Sequence, residues 1–272
     1  MRAAGELTTA LVTGACSGIG LAFATELAAL GYTLVLVSNR ADALAEVATD
    51  LAQRHGIATH PLVMDLARAE AATTLAAELE RRGLEVDILV NNAGMLLFGE
   101  VAETDPDRAM ALLQLHVVTP TLLARHLGAR MRARRRGHLL FVSSISAWND
   151  FPGIALYGSS KRYLKSFAAA LRSELAVWGV NVTTVAPGAT ATDLYAGTKV
   201  DLALALRLGV MLTPEAVARA GLKAMFARRA LVVPGLMAKL FAWGMGATPR
   251  WLIDLLRRRA PWLPRPTRRP RA

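Results

Sequence analysis

The stretch Leu11-Val12-Thr13-Gly14-Ala15-Cys16-Ser17-Gly18-Ile19-Gly20 decides the fold of this chain. It joins a short apolar run, typical of a buried strand, to a segment at 21–30 with helical apolar spacing. Glycines let the backbone turn sharply, and amide groups at a helix N-terminus donate to phosphate oxygens. The stretch therefore predicts a loop that holds a dinucleotide pyrophosphate, although its spacing is T-G-x-x-x-G-I-G rather than G-x-G-x-x-G.

Outward from this loop, strands and helices alternate with short links. Strands are predicted near 8–13, 33–38, 58–64, 86–90, 138–143, 180–186 and 230–233, and helices near 18–30, 40–54, 68–82, 104–135, 155–178 and 213–227. Continuous apolar strands are typical of parallel sheets that are covered on both faces. The pattern predicts an α/β fold with a single doubly wound, Rossmann-type parallel sheet and helices on both faces. We assign residues 1–233 to this domain and residues 234–272 to an amphipathic extension with a basic tail.

Composition agrees with one globular domain. The chain has 272 residues, of which 53% are hydrophobic and 19% are charged, so it can bury a full core and is not expected to be disordered. Cys16 is the only cysteine, which excludes an intrachain disulfide and a cysteine metal cluster. The first strand begins near Thr8, so we expect no cleaved signal peptide, and no apolar run has spanning length. A cytoplasmic location is the simplest expectation.

A second motif, Tyr157-Gly158-Ser159-Ser160-Lys161, carries the chemistry. A Tyr and a Lys four residues apart on a helix point the same way. The ammonium stabilises phenolate and lowers the tyrosine pKa from about 10. Such a tyrosine exchanges a proton with a carbonyl or alcohol oxygen, and Ser144 can hydrogen-bond the same oxygen. Taken alone, the pattern is common on ordinary amphipathic helices, and the rest of the chain favours catalysis.

Together these motifs resemble the short-chain dehydrogenase/reductase family. The matching residues occur in the family's order and spacing between about residues 8 and 195: Thr13 to Gly20, Asp65, Asn91-Asn92-Ala93-Gly94, Ser144, Tyr157, Lys161, Pro187-Gly188 and Thr192. The resemblance implies NAD or NADP lying across the carboxyl ends of the strands. It also implies hydride transfer between the nicotinamide and a substrate carbon, with Tyr157 as acid or base, Ser144 orienting the oxygen and Lys161 holding the nicotinamide ribose. A homodimer or homotetramer is expected.

The resemblance also implies the residues that bind the cofactor. Asp65 is assigned to the adenine amino group, and its alternative role is to cap the helix that follows. Asn91 and Gly94 are expected to shape the loop beneath the cofactor. The full predicted set is Gly14, Ser17, Gly18, Ile19, Gly20, Asn39, Arg40, Asp65, Asn91, Ala93, Gly94, Tyr157, Lys161, Pro187, Gly188 and Thr192.

The choice between the two cofactors depends on Val37-Ser38-Asn39-Arg40, where the second strand ends. An acid there would bind the adenosine ribose and repel a 2′-phosphate. There is no acid, and Arg40 can pair with a phosphate. NADP(H) is therefore favoured over NAD(H), against the alternative that Arg40 is a solvated first-turn arginine.

His116 departs from the family pattern. It stands where the family usually has an Asn whose main chain binds a water of a proton relay. A buried histidine is more often a hydrogen-bonded core residue, yet a main-chain relay would survive the change of side chain. If His116 titrated near neutral pH, it would add its own pH dependence. His116 is also the one feature that favours an alternative function, a cofactor-binding protein that has lost turnover and acts through interactions.

The predicted substrate side is apolar. Residues 95–98 follow the N-N-A-G loop, Ile145, Trp148 and Phe151 lie between Ser144 and Tyr157, and Tyr195 and residues 202–211 come where the family has a mobile lid. A small hydrophobic carbonyl compound or alcohol fits such a pocket better than a sugar phosphate. The alternative is that several of these residues pack the core or a dimer face.

The net charge of +11 invites further interpretations. One arginine cluster comprises Arg130, Arg132, Arg134, Arg135 and Arg136, and another crowds the last residues of the chain beside Trp and Leu. The first cluster is typical of a solvated helix end, and the second is typical of a frayed basic tail. The C-terminal cluster also suits peripheral contact with an anionic membrane, while its apolar residues could instead roof the pocket. Nucleic-acid binding is the least favoured interpretation, because no recognition module accompanies the charge.

Overall fold

The structure is a computed structural model. It describes residues 8–149, 151–191, 211–249 and Trp251. Seven parallel strands form one sheet in the order β3-β2-β1-β4-β5-β6-β7. The strands are β1 (Thr9–Thr13), β2 (Thr33–Ser38), β3 (Thr59–Val63), β4 (Ile88–Asn91), β5 (Gly137–Val142), β6 (Val180–Val185) and β7 (Leu231–Val232). The predicted doubly wound α/β fold is confirmed, and the strand order reverses between β1 and β4.

The helices alternate with these strands. They are α1 (Gly18–Ala29), α2 (Ala41–His55), α3 (Ala71–Arg81), α4 (Pro106–Leu113), α5 (Thr119–Arg134), α6 (Ala155–Ala176), α7 (Pro214–Phe226) and α8 (Leu236–Ala247). Short 3₁₀ turns lie at Val101–Glu103 and Ile145–Trp148. The region predicted as one helix over 104–135 is instead two α-helices joined by a π-helical turn at Gln114–Val118.

The sheet separates two hydrophobic cores. Because side chains alternate along a strand, Ala10 and Val12 of β1 pack on one face and Leu11 packs on the other. The first face is covered by α1, α2 and α7, and the second by α3, α5 and α6. All five residues of β1 are buried, which is why this strand reads as a continuous apolar run.

The arginine cluster before β5 is mostly paired. Arg130 lies 2.6 Å from Glu80, and Arg134 lies 3.0 Å from Glu85. Arg132 stacks over Trp178, with its guanidinium carbon 4.0 Å from the ring centroid. Buried Asp87 faces the side chains of Arg134 and Arg136. These contacts lie at the amino ends of β4 and β5, away from the strand ends that form the site, and they favour a structural role for the cluster.

The first helix of the predicted extension packs on the α/β domain. Helix α8 packs against the turn Ile145–Trp148, and an added Cβ on Gly188 would lie 3.0 Å from the Cβ of Ala238. None of the helices within the described ranges is long and apolar enough to cross a bilayer. All of the C-terminal arginines, from Arg250 onward, fall outside the described residues.

Candidate functional site

A cavity of about 1050 Å³ lies at the carboxyl ends of the strands. Parallel strands end at the same edge of a sheet, so the loops after β1 to β6 converge there. The predicted residues that line the cavity are Gly14, Ser17, Gly18, Ile19, Asn39, Arg40, Asp65, Ala93, Gly94, His116, Ser144, Tyr157, Lys161, Pro187 and Gly188. Gly20 and Asn91 do not line it, and Thr192 lies outside the described residues.

Two glycines let the glycine loop pack closely against its neighbours. Gly14 has a φ of +66°, and a Cβ there would lie 3.0 Å from the Ala93 Cα. A Cβ on Gly20 would lie 2.0 Å from the Gly14 carbonyl oxygen, so Gly20 permits the close packing of α1 on the loop. Ser17 precedes α1 with no side-chain capping bond, and the first turn carries no acidic residue. This positive, uncapped helix end fits the predicted pyrophosphate.

A second loop is fastened to the glycine loop through Thr13. The Thr13 hydroxyl oxygen accepts hydrogen bonds from the Asn92 and Ala93 backbone N–H groups, at 2.9 and 3.0 Å. The Asn92 side-chain amide donates to the Thr13 carbonyl oxygen at 2.9 Å. This role of Asn92 was not predicted from the sequence, although the repeated Asn of N-N-A-G was the available signal. Asn91 is buried behind the loop, where it borders a separate cavity of about 10 Å³.

The loops after β2 and β3 form the other end of the cavity. Arg40 and Asn39 are exposed there, and none of the ion pairs within the described ranges includes Arg40. The Arg40 backbone N–H donates to the Ser38 hydroxyl at 3.2 Å, and α2 begins at the next residue without a side-chain cap. Asp65 accepts from the Ala67 N–H at 3.0 Å, so it caps the loop after β3 and not α3 itself.

The catalytic candidates lie where β5 meets α6. The Lys161 ammonium lies 5.7 Å from the Tyr157 ring centroid and donates to the Val142 carbonyl oxygen at 3.1 Å. Lys161 is buried, and this burial lowers its pKa from 10.5 to about 8. The Ser144 hydroxyl oxygen accepts from the Ser146 N–H at 3.1 Å. A hydroxyl has one proton to donate, and this contact leaves that proton available to a ligand oxygen.

The His116 side chain joins the N-N-A-G loop to the helix that carries Tyr157. Its Nε2 accepts from the Met95 backbone N–H at 2.9 Å, and its Nδ1 lies 2.9 Å from the Ser160 hydroxyl oxygen. Ser160 donates to the Tyr157 carbonyl oxygen at 2.7 Å, so the consistent assignment has neutral His116 donating from Nδ1. Burial and then the Lys161 charge hold the His116 pKa well below 6.5. His116 therefore brings no titration near neutral pH.

The main chain of His116 lies in the π-helical turn. In an α-helix, the N–H of residue 120 would donate to the carbonyl oxygen of residue 116. Residue 120 is proline, which has no N–H, and it stands in the first turn of α5. The Thr119 N–H instead bonds to the Gln114 carbonyl oxygen, five residues back. The sequence thus removes the ordinary partner of the carbonyl group that the predicted relay would use.

The remaining wall is largely apolar. Met95, Leu96, Phe98, Ile145 and Phe151 line the cavity as predicted. Leu97 is buried outside the cavity. The Lys165 ammonium lies over the Trp148 ring, 4.1 Å from its centroid. Ile154 and Arg108 also line the cavity and were not predicted. Tyr195 and residues 202–210 lie outside the described residues.

Comparison with known proteins yields one consistent family. Residues 8–202 match the family model for short chain dehydrogenases. An oxidoreductase of Bacillus subtilis, YmfI, is 34% identical over 217 residues, covering 78% of this chain and 88% of its own length.

Solved structures agree with this match. A short-chain dehydrogenase from Sphingobium yanoikuyae in complex with NADPH superposes with a TM-score of 0.78 at 26% identity, covering 97% of this chain and 99% of the other. A 7β-hydroxysteroid dehydrogenase superposes with a TM-score of 0.83 at 25% identity, covering 92% and 96%. The chain therefore belongs to the short-chain dehydrogenase/reductase family of oxidoreductases.

Proposed function

We propose that this chain is an NADP(H)-preferring oxidoreductase that interconverts a hydrophobic ketone or aldehyde and its alcohol. The observation that carries the proposal is the convergence of Ser144, Tyr157 and Lys161 on one cavity that also contains the glycine loop. Within that cavity an acid and a hydrogen-bond donor would face the same substrate oxygen, and a cation would lie beside the acid.

The protein's part in the reaction is to move one proton and hold one oxygen. The bound nicotinamide supplies the hydride in reduction and accepts it in oxidation. In reduction, the Tyr157 hydroxyl gives its proton to the carbonyl oxygen, and in oxidation the phenolate takes it back. Ser144 donates its free proton to that oxygen, which aligns the substrate and stabilises the charge that develops on it.

Lys161 supports this exchange electrostatically. With a pKa of about 8, its side chain is mostly protonated at neutral pH. A buried ammonium near the tyrosine ring favours phenolate, so it lowers the Tyr157 pKa toward the working range. Lys161 would also hold the nicotinamide ribose, and the proton given up by Tyr157 would be replaced through Lys161 and a water held by the His116 carbonyl oxygen.

The preference for NADP(H) rests on the end of the cavity near α2. Arg40 is exposed there at the uncapped start of a helix, so a 2′-phosphate would meet a guanidinium and backbone N–H groups together. The related Sphingobium enzyme was solved with NADPH. Both points favour the phosphorylated cofactor, and NAD(H) remains the alternative.

The substrate class follows from the wall beside Tyr157. Its aliphatic and aromatic side chains would bury apolar surface, and the structural relative that acts on a hydroxysteroid has a hydrophobic substrate. The site favours a ketone with bulky apolar groups over a charged or polyhydroxylated compound.

The test is an assay of NADPH consumption with a panel of hydrophobic ketones and aldehydes. We expect turnover with at least one member, and a loss of about 10²-fold to 10⁴-fold in the Tyr157→Phe variant, which keeps the ring and removes the proton. NADPH binding should change little, because the hydroxyl exchanges a proton with the substrate and not with the phosphates. The chain would be a cofactor-binding protein without turnover if NADPH bound and no substrate reacted. Near-normal turnover by Tyr157→Phe would overturn the mechanism.

A further inference from the structure

Helix α8 packs on the domain through its small residues and presents its large apolar residues to solvent. Ala238 and Ala242 are 8% and 4% exposed, whereas Leu236, Leu240 and Trp243 are 73%, 54% and 78% exposed. Residues spaced four and then three apart share one helix face, so these three form a single stripe. A helix that only completed the core would have the opposite orientation.

Other large apolar residues of this region are exposed as well. Phe241 and Trp251 are also exposed, while α8 carries one charged residue, Lys239, and no acidic residue. Single exposed apolar residues are ordinary, but three large ones aligned on one helix face mark a surface that another apolar phase covers.

The sequence from residue 234 to the end is strongly basic. Residues 234–272 contain nine basic residues and one acidic residue, so this short segment carries most of the +11 net charge of the chain. An apolar helix face that is followed along the sequence by arginines complements a bilayer that exposes anionic headgroups over hydrocarbon. A twofold contact between two copies would instead bring two segments of like charge together, which disfavours a second copy as the occupant.

We propose that α8 docks the protein on an anionic membrane surface. Leu236, Leu240 and Trp243 would enter the boundary between headgroups and acyl chains, and the basic residues of the C-terminal segment would pair with lipid phosphates. The opposite side of α8 contacts Ile145–Trp148 and Gly188, and Ile145 and Gly188 line the catalytic cavity. The docked face is therefore separated from the cavity wall by the thickness of one helix.

Vesicle flotation of the full chain tests this without any turnover, so its outcome is independent of the proposed reaction. The probes are phosphatidylcholine vesicles with and without phosphatidylglycerol, each at low and high salt. We expect flotation with the anionic vesicles at low salt, and a marked loss at high salt or without the anionic lipid. A blue shift of tryptophan fluorescence should accompany binding.

Two groups of variants separate the contribution of the apolar stripe to membrane binding from that of the arginines. Replacing Leu236, Leu240 and Trp243 together by Gln should weaken binding at least tenfold, since the exposed stripe is removed. Replacing Arg257, Arg258 and Arg259 by Gln should weaken it by about fivefold for each arginine. The matched control replaces Leu30, Val63 and Val177 by Gln, because these are exposed apolar residues outside α8, and it should bind like the unmodified protein.

The proposal fails if the unmodified protein stays with the unbound fraction at low salt. It also fails if the stripe variant, still folded by circular dichroism, floats as well as the control. Sedimentation velocity distinguishes the competing occupant: a dimer that dissociates in the stripe variant, with no vesicle binding by the unmodified protein, would assign this face to a second copy.

Discussion

At the scale of single residues, Arg40 is the side chain on which the proposed cofactor preference rests. It is exposed at the cavity end near α2, and no described ion pair competes for its guanidinium. A charge-assisted pair with a 2′-phosphate contributes roughly 1.5–3 kcal/mol, so we expect NADP(H) to bind about tenfold to a hundredfold more tightly than NAD(H). Arg40→Ala should remove most of that difference by weakening only NADP(H) binding, as measured by titration calorimetry with both cofactors.

The control for Arg40 is Arg54→Ala, at the opposite end of the same helix, where the arginine pairs with Asp50. It removes the same charge and should leave both dissociation constants unchanged. Equal affinities of the unmodified protein for the two cofactors would show that Arg40 is a solvated arginine.

The positions of site residues were predictable where they depend on residue type and spacing. Tyr157, Lys161 and Ser144 fall in this class, because a pattern along one helix and one strand end fixes their neighbourhood. Asn92 and His116 show the limit. Both act through long-range hydrogen bonds, to Thr13 and to Ser160, and such partners depend on how loops meet. The neutral state of His116 follows from burial beside Lys161, which spacing does not reveal.

At the scale of elements, the π-helical turn between α4 and α5 was missed for a physical reason. Apolar periodicity runs through both helices, so the pattern predicts one helix over 104–135. The decisive feature is Pro120, whose missing N–H interrupts the α-helical ladder at His116. Proline is tolerated in the first turn of a helix, and α5 accordingly restarts at Thr119.

Pro120→Ala tests whether this interruption matters. The new N–H can donate to the His116 carbonyl oxygen and would compete with the water of the proposed relay. We expect kcat to fall about tenfold, since resupply of the proton becomes slower, while the KM for NADPH changes little. The measurement is steady-state kinetics on the best substrate of the ketone panel.

The matched control for Pro120→Ala is Pro106→Ala, which replaces the proline in the first turn of α4. Residue 106 is exposed and distant in sequence from the π-helical turn, so this variant should keep its kcat. An undiminished kcat in Pro120→Ala would mean that the carbonyl of His116 takes no part in proton resupply.

At the scale of the whole molecule, the alternation of strands and helices along the chain predicts the parallel sheet and its two helical layers. It does not predict the orientation of α8. Periodicity identifies which residues share a face, and here Leu236 and Trp243 share one and Ala238 and Ala242 the other. It does not decide which face turns inward. The general burial of apolar side chains would turn the leucines inward, whereas the close approach of Ala238 to Gly188 leaves little space there for a larger side chain. The domain boundary assigned at residue 233 remains a prediction.

Burying Lys161 in this fold should make global stability depend on pH. Its pKa is about 8 in the folded protein and 10.5 when unfolded, so between these values the unfolded chain binds more protons. Stability should therefore rise with pH across this window and stay level below it. A shift of this size corresponds to at most roughly 3.4 kcal/mol. We expect the free energy of unfolding in urea, without cofactor, to rise from pH 8 to 10.5 relative to Lys161→Met.

Lys223→Met, at an exposed position on α7, controls for the loss of one positive charge. A constant difference between the unmodified protein and Lys161→Met from pH 7 to 10.5 would contradict the argument, because it would mean that the buried amine keeps its proton as readily as a solvated one.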